Sequence, residues 1–270
     1  MIRFLKLVHL EVQRFQYVLF GLMSLTAVIQ IIGLVHAAQI RVNHWIEAAR
    51  LENQTPRNFS FADIIGDSQF LFTIPILISI TVLGLYVFLI WYRDWIGRDK
   101  FAYRVFTLPT ARWNIYIAKA TAIFLFVFAL VAFQVLLLLL ERQLFNWMVP
   151  SEYRISSLFA EAVASNLVFN QILLPQDGMQ FVVYYGVGIL AVCVIFTAIL
   201  LERSYRWTGV VYAILYVAAC GTVIGFAVHL NAYSSFYPRE ITAIRLVVYL
   251  AALGITLALG FRLVSKKITV

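Results

Sequence analysis

"AKATAIFLFVFALVAFQVLLLLL", Ala118 to Leu140, decides the class of this chain. Its single charge, Lys119, stands at one end, and Gln134 is its one strongly polar interior residue. A helix needs about 20 apolar residues to cross the hydrocarbon core of a bilayer. This run meets that length, and five others do as well: Gln16 to Ala38, Ser68 to Trp91, Met179 to Leu201, Trp207 to Leu230 and Ile241 to Phe261. The sequence predicts an all-α membrane protein, a single transmembrane domain over residues 1–270 with six transmembrane helices. Arg245, in the first turn of the last span, can snorkel outward. Trp91, Tyr92, Trp113, Tyr116 and Trp207 gather at span ends, as an interfacial aromatic belt does.

Composition agrees. Of 270 residues, 63% are hydrophobic and 13% charged, with a mean hydropathy of +0.88; soluble domains run near one quarter charged. The formal charge of +8 would suggest nucleic-acid binding in a soluble chain. In a membrane chain it is the excess of Lys and Arg that cytoplasmic loops carry, and no nucleic-acid partner is expected. Cys193 and Cys220 each lie inside an apolar run and read as small buried hydrophobes. His9, His36, His44 and His229 have no ligand spacing.

Six spans place both termini on one side. That side collects Arg3, Lys6, Arg14, Arg93, Arg98, Lys100, Arg104, Arg112, Lys119, Arg203, Arg206, Arg262, Lys266 and Lys267, while the other has only Arg41, Arg50, Arg57, Arg142, Arg154, Arg239 and Arg245. The termini are therefore expected in the cytoplasm, and the chain in a plasma membrane as a multi-pass protein. Arg3 and Lys6 could be the n-region of a signal peptide, but the apolar run is too long and Glu11 and Arg14 interrupt the approach to it. An uncleaved first span is expected.

Before that span, polar Arg3, Lys6, His9, Gln13 and Gln16 recur every three or four residues and so share one helical face. Residues 1–15, with Arg3, Lys6 and Arg14, read as an amphipathic interfacial helix lying in the membrane plane, because Glu11 and Arg14 would be costly at membrane depth. Two outer segments are substantial. Residues 39–67 read as polar and irregular, with Asn53-Gln54-Thr55 and Asn58-Phe59-Ser60 matching the glycosylation triplet. In residues 141–178, Glu152 to Leu174 reads as one amphipathic surface helix between Pro150 and Pro175, either a lid or a packed cap.

No G-x-x-x-x-G-K-[ST], H-E-x-x-H, G-x-S-x-G or paired-Cys motif occurs, so no ATPase or other catalytic activity, bound metal or cofactor is expected of this chain. No span carries an acidic residue near its middle, where an ion-coupled carrier would bind its ion. Gln30 and Gln134 are accounted for by hydrogen bonds between helices.

The charged exception is the stretch from Tyr92 to Ala120. Gly97 breaks the second span and Asp99 can cap a new helix. Phe101, Ala102, Val105 and Phe106 then form one stripe, with Arg98, Lys100, Tyr103 and Arg104 on other faces. Thr107-Leu108-Pro109 ends the helix, and Thr110 can cap the third span. Residues 93–114 thus read either as a short amphipathic cytoplasmic helix for a soluble partner or as a basic loop that only fixes topology.

With the in-plane N-terminus and six spans, the motif Arg93-Asp94, Gly97, Arg98-Asp99-Lys100, Phe106-Thr107-Leu108-Pro109, Arg112 and Ile115 to Lys119 resembles the membrane (permease) subunits of type-2 ABC exporters. The resemblance implies that this loop is the coupling helix, docking in a cleft of an ATP-binding cassette subunit. Arg98, Lys100 and Arg104 would be its electrostatic contacts, Phe101, Val105 and Phe106 its packing anchors, Asp99 its cap, and Pro109 and Arg112 its join to the third span. It further implies two copies of the ATPase subunit, which holds ATP and Mg, a second permease copy or sister permease, and a pathway between the two. One departure is the short segment Asn231 to Glu240, where many members have re-entrant helices. Aromatic-rich spans without buried charge suit an amphipathic or lipid-like cargo, and the resemblance implies peptide-antibiotic export or resistance in bacteria. The other reading is a non-transporting scaffold or sensor that recruits a soluble partner through the same loop; a membrane enzyme would want a polar cluster that is not evident.

Overall fold

The computed structural model describes residues 2–52, 58–96, 112–175, 178–233 and 237–266. Its elements are α1 (Ile2–Glu52), α2 (Phe61–Asp67), α3 (Gln69–Ile96), α4 (Trp113–Met148), α5 (Phe159–Ala164), a π-helical turn (Phe169–Leu173), α6 (Gly178–Tyr233) and α7 (Pro238–Lys266). Six helical stretches are long and apolar enough to cross a membrane: Phe4–Arg50, Gln69–Asp94, Trp113–Met148, Gly178–Tyr205, Trp207–His229 and Glu240–Ser265. They match the six predicted runs and are compatible with a multi-pass membrane protein. Among the described residues there is no strand, only an isolated bridge between Phe59 and Arg154.

The fourth and fifth runs share one helical stretch that folds back on itself. Leu190 and Val194 lie in one apolar cluster with Tyr216, Cys220, Ile224 and Ala227. On a straight helix Leu190 and Ala227 would stand about 55 Å apart. The reversal is tight: a Cβ on Gly209 would lie 2.4 Å from the Leu201 carbonyl oxygen. Only glycine permits that approach.

The chain divides into two compact units. The first comprises Met1–Arg14, Leu83–Leu125 and Met179–Val270, and the second Phe15–Val82 and Phe126–Gly178. In the second, the segments that follow the first and third runs pack together as one cap. Phe59, Phe61, Ile64 and Ile65 join Phe145, Val149, Ala162, Val163, Val168 and Phe169 in a single buried cluster. The Phe59 N–H donates to Tyr153 O at 3.0 Å and the Ile155 N–H to Phe59 O at 2.9 Å. Ser60 and Asp63 close a reciprocal capping box that starts α2.

Two sequence expectations fail in this unit. Residues 39–67 are not irregular throughout, for α1 continues to Glu52 and α2 follows. Ala38, Val42 and Trp45, at helical spacing, keep one face of α1 on the cluster. Glu152 to Leu174 is not one helix. The buried Asn166 side-chain oxygen accepts from the N–H groups of Val168 and Phe169 at 2.9 and 3.2 Å, the local bonding by which Asn competes with helix. The chain splits there into α5 and the π-helical turn.

Buried amides also behave as the sequence suggests. Gln134 Nε2 donates to Gln30 Oε1 at 2.9 Å, and Gln30 Nε2 donates to Phe72 O at 3.1 Å. Phe72 lies one turn before Pro75, the proline inside α3, which leaves the adjacent Leu71 carbonyl without its helical donor. In the first unit Arg245 is hydrogen-bonded to the backbone of α6. Its guanidinium donates to Ala227 O and Val228 O at 2.8 and 2.7 Å, satisfying late carbonyls of α6.

Candidate functional site

Five charged side chains from three helices meet in the first unit. α1 supplies Glu11 and Arg14, one turn apart on one face; α3 supplies Arg93 and Asp94 near its end; α4 supplies Lys119 from its second turn. Lys119 is the centre, 2% exposed at its side chain. Its Nζ donates to Glu11 Oε1 at 2.8 Å, to Asp94 Oδ2 at 2.6 Å and to the Ile90 carbonyl at 2.8 Å. Three acceptors meet the three donors of an ammonium group. The remaining carboxylate oxygens are also engaged. Arg93 reaches Glu11 Oε2 at 2.7 Å and Arg14 reaches Asp94 Oδ1 at 3.3 Å.

Apolar packing sets the register. Leu7 and Val8 of α1 pack on Ile115 and Ala118 of α4, which puts Glu11, one turn on, beside Lys119. The two carboxylate side chains are each 9% exposed and the outer guanidiniums 28% and 35%. The cluster is thus closed on its acidic core and open on its basic rim. The expectation that Glu11 and Arg14 avoid depth assumed lipid as their surroundings. Pairing and hydrogen bonding offset part of that penalty, and residues 2–14 run into the first span without a helix break. A pocket of about 20 Å³, lined by Leu7, Leu10, Glu11, Arg14, Ile115, Ala118 and Lys119, adjoins the cluster. It has room for about one water.

An aromatic frame continues the site. The Lys119 ammonium lies 5.3 Å from the Trp91 ring centre. Trp91 meets Phe196 edge-on at 5.5 Å, and Tyr116 meets Phe196 and Phe261 at 5.4 and 5.5 Å. A Cβ on Gly260 would press within 3.1 Å of the Tyr116 ring and of Thr197 Oγ1, so glycine lets α7 approach. The Tyr116 hydroxyl donates to Cys193 O at 3.2 Å. Tyr92 donates to Glu202, and Arg203 lies 4.9 Å over the Tyr92 ring. These contacts hold α3 just before residue 97 and α4 just after residue 111.

Of the residues singled out for coupling, Arg98, Asp99, Lys100, Phe101, Arg104, Val105, Phe106 and Pro109 lie outside the described residues. Arg112 is described, half-buried just before α4, with its carbonyl accepting the Ile115 N–H at 3.2 Å. Of the interfacial set, Lys6 is exposed, Arg14 belongs to the cluster, and the Arg3 side chain lies outside the described residues. The sequence placed Arg93, Asp94 and Lys119 in one family-like motif but did not pair them with one another or with Glu11. The available signal was four ionisable residues beside predicted apolar runs, two of each sign. Among the described residues no group of three His, Cys, Asp or Glu could hold a metal. No protein-family model matches the chain, and neither a curated protein nor a solved structure is significantly similar to it.

Proposed function

We propose that the chain is the permease subunit of an ATP-driven exporter. It works as a dimer, with itself or a sister permease, on two copies of a separate ATP-binding subunit. The observation that carries this reading is the clamp at the two ends of residues 97–111. Arg93 and Asp94 precede that segment, Lys119 follows it, and Glu11 ties both to the first helix. A push on the segment is then delivered to three helices together. Packed elements linked in this way shift between discrete arrangements and do not deform continuously.

In this reading Arg98, Lys100 and Arg104 meet acidic groups on the ATPase, and Phe101, Val105 and Phe106 fill its cleft. Asp99 caps the coupling helix, and Pro109 and Arg112 join it to α4. Both termini are cytoplasmic, with Arg3 and Lys6 at an anionic bacterial membrane surface. The cargo is amphipathic, of the peptide-antibiotic or lipid-like class. ATP and Mg act in the partner subunit.

The test is to purify the tagged chain, expressed from its native operon, in mild detergent. The expected outcome is a co-purifying soluble subunit with a G-x-x-x-x-G-K-[ST] loop. Phe106→Asp and Arg104→Glu should lose it or uncouple its ATP hydrolysis from transport, while the chain still inserts. A monodisperse chain alone, without ATPase activity, rejects the exporter and favours the scaffold or sensor.

A further inference from the structure

The face of α4 that carries Gln134 and Leu138 continues to Glu141 and Phe145, at helical spacings of four, three and four residues. All four are buried. Gln134 is hydrogen-bonded, and Leu138 and Phe145 belong to the apolar cluster of the second unit. Glu141 differs. It is 1% exposed, and among the described residues neither carboxyl oxygen has a hydrogen-bond partner.

The described charged and titratable groups of that unit are committed elsewhere or turned outward. Arg41 holds Asp67 with two bonds. Arg142 donates to Ser157 O at 2.8 Å and Arg154 donates to Asn146 O. Asp63 is bonded to Ser60, and Glu161 accepts the Leu158 N–H at 3.0 Å. Tyr17, His36, His44, Glu47, Arg50 and Glu152 are exposed, and the half-buried Tyr153 stacks on Trp45 with ring centres 4.0 Å apart. An isolated carboxylate in apolar surroundings costs so much that such a group takes up a proton instead. A metal ion is not the alternative, since one carboxylate is too few ligands and no further ligand cluster exists among the described residues.

We propose that Glu141 is a proton-exchange site. The acid is neutral while the cluster is packed. When the packing opens, its O–H bond breaks, the proton passes to water, and the carboxylate is hydrated. The elements around the cluster suit such opening. α2 has seven residues, α5 six, and a π-helical turn of five completes the set. Helices this short are marginal without their tertiary packing, and π-helical turns recur at functional positions. The inference stands whether or not the chain is a permease.

Infrared difference spectra of the full chain in lipid bilayers, wild type minus Glu141→Gln, test it. The expected result is a protonated-acid carbonyl band at neutral pH that shifts in heavy water under conditions well short of global unfolding. A carboxylate band in its place overturns the proposal, as does an acid band that shifts only on global unfolding. The unaltered chain gives a second measurement should the variant not fold. A lipid-soluble carbodiimide, which attacks protonated carboxyl groups, should modify Glu141 at neutral pH by peptide mass mapping. Failure to modify Glu141 while other membrane carboxyls of the preparation react counts against it.

Discussion

Among the described residues of the first unit, Lys119 is the most deeply buried charged side chain. Replacing it with Met would leave Glu11 and Asp94 facing each other with a donor lost from each. Breaking a buried ion pair from one side costs about 3–5 kcal/mol, because the orphaned charge stays buried. Lys119→Met should therefore lower the denaturation midpoint in detergent by that order. Adding Asp94→Asn should recover part of the loss, a non-additivity of ~1 kcal/mol or more, as residues in one network show. Strict additivity in the double variant would mean that the two side chains do not interact. The cluster escaped the sequence reading for a physical reason. Positions 11, 93 and 119 have no periodic relation, and each alone looks like a charge at the end of a span. Only the packing of Leu7 and Val8 on Ile115 and Ala118 brings them to one depth.

At the scale of elements, long apolar runs were legible and short ones were not. A run of about 20 apolar residues admits one structure in lipid, so all six were found. The cap around Phe59, Phe61 and Phe145 depends on non-local packing and on one Asn side chain, and periodicity carries neither. Two substitutions probe these elements. Gly209→Val places its Cβ against backbone oxygens that no rotamer change can move, and overpacking costs about 1–3 kcal/mol. It should loosen the reversal between the two halves of α6, read as new protease cleavage near Arg206. An intact variant with wild-type stability would mean that the chain turns elsewhere. Ser60→Ala removes one half of the capping box at α2, at a cost of about 1 kcal/mol. Hydrogen exchange should show faster opening at Asp63 and Ile64 while the amides of α3 keep their protection.

For the molecule as a whole, the distribution of charge makes the boldest statement. Fourteen of 21 basic residues fall on one set of segments and nine of 13 acidic residues on the other. An even number of spans, two of them sharing the folded-back α6, would bring the termini to one side in any orientation, and the basic bias predicts that this side is the cytoplasm. Arg93, Arg203 and Arg262 belong to the first unit with the N-terminal residues and Arg41, Arg142 and Arg154 to the second, whereas Arg239 and Arg245 of the outer set fall in the first. The prediction is read by thiol labelling in a background with Cys193 and Cys220 changed to Ala. Cysteines placed singly at Lys6 and Arg262, both exposed, should react with an impermeant maleimide only after the membrane is opened. A cysteine at Glu152, also exposed, should react in intact cells. Labelling of Lys6 and Arg262 positions from opposite faces would remove a span from the count. Labelling of both from outside would keep six spans and reverse the orientation, and residues 97–111 could then meet no cytoplasmic ATPase.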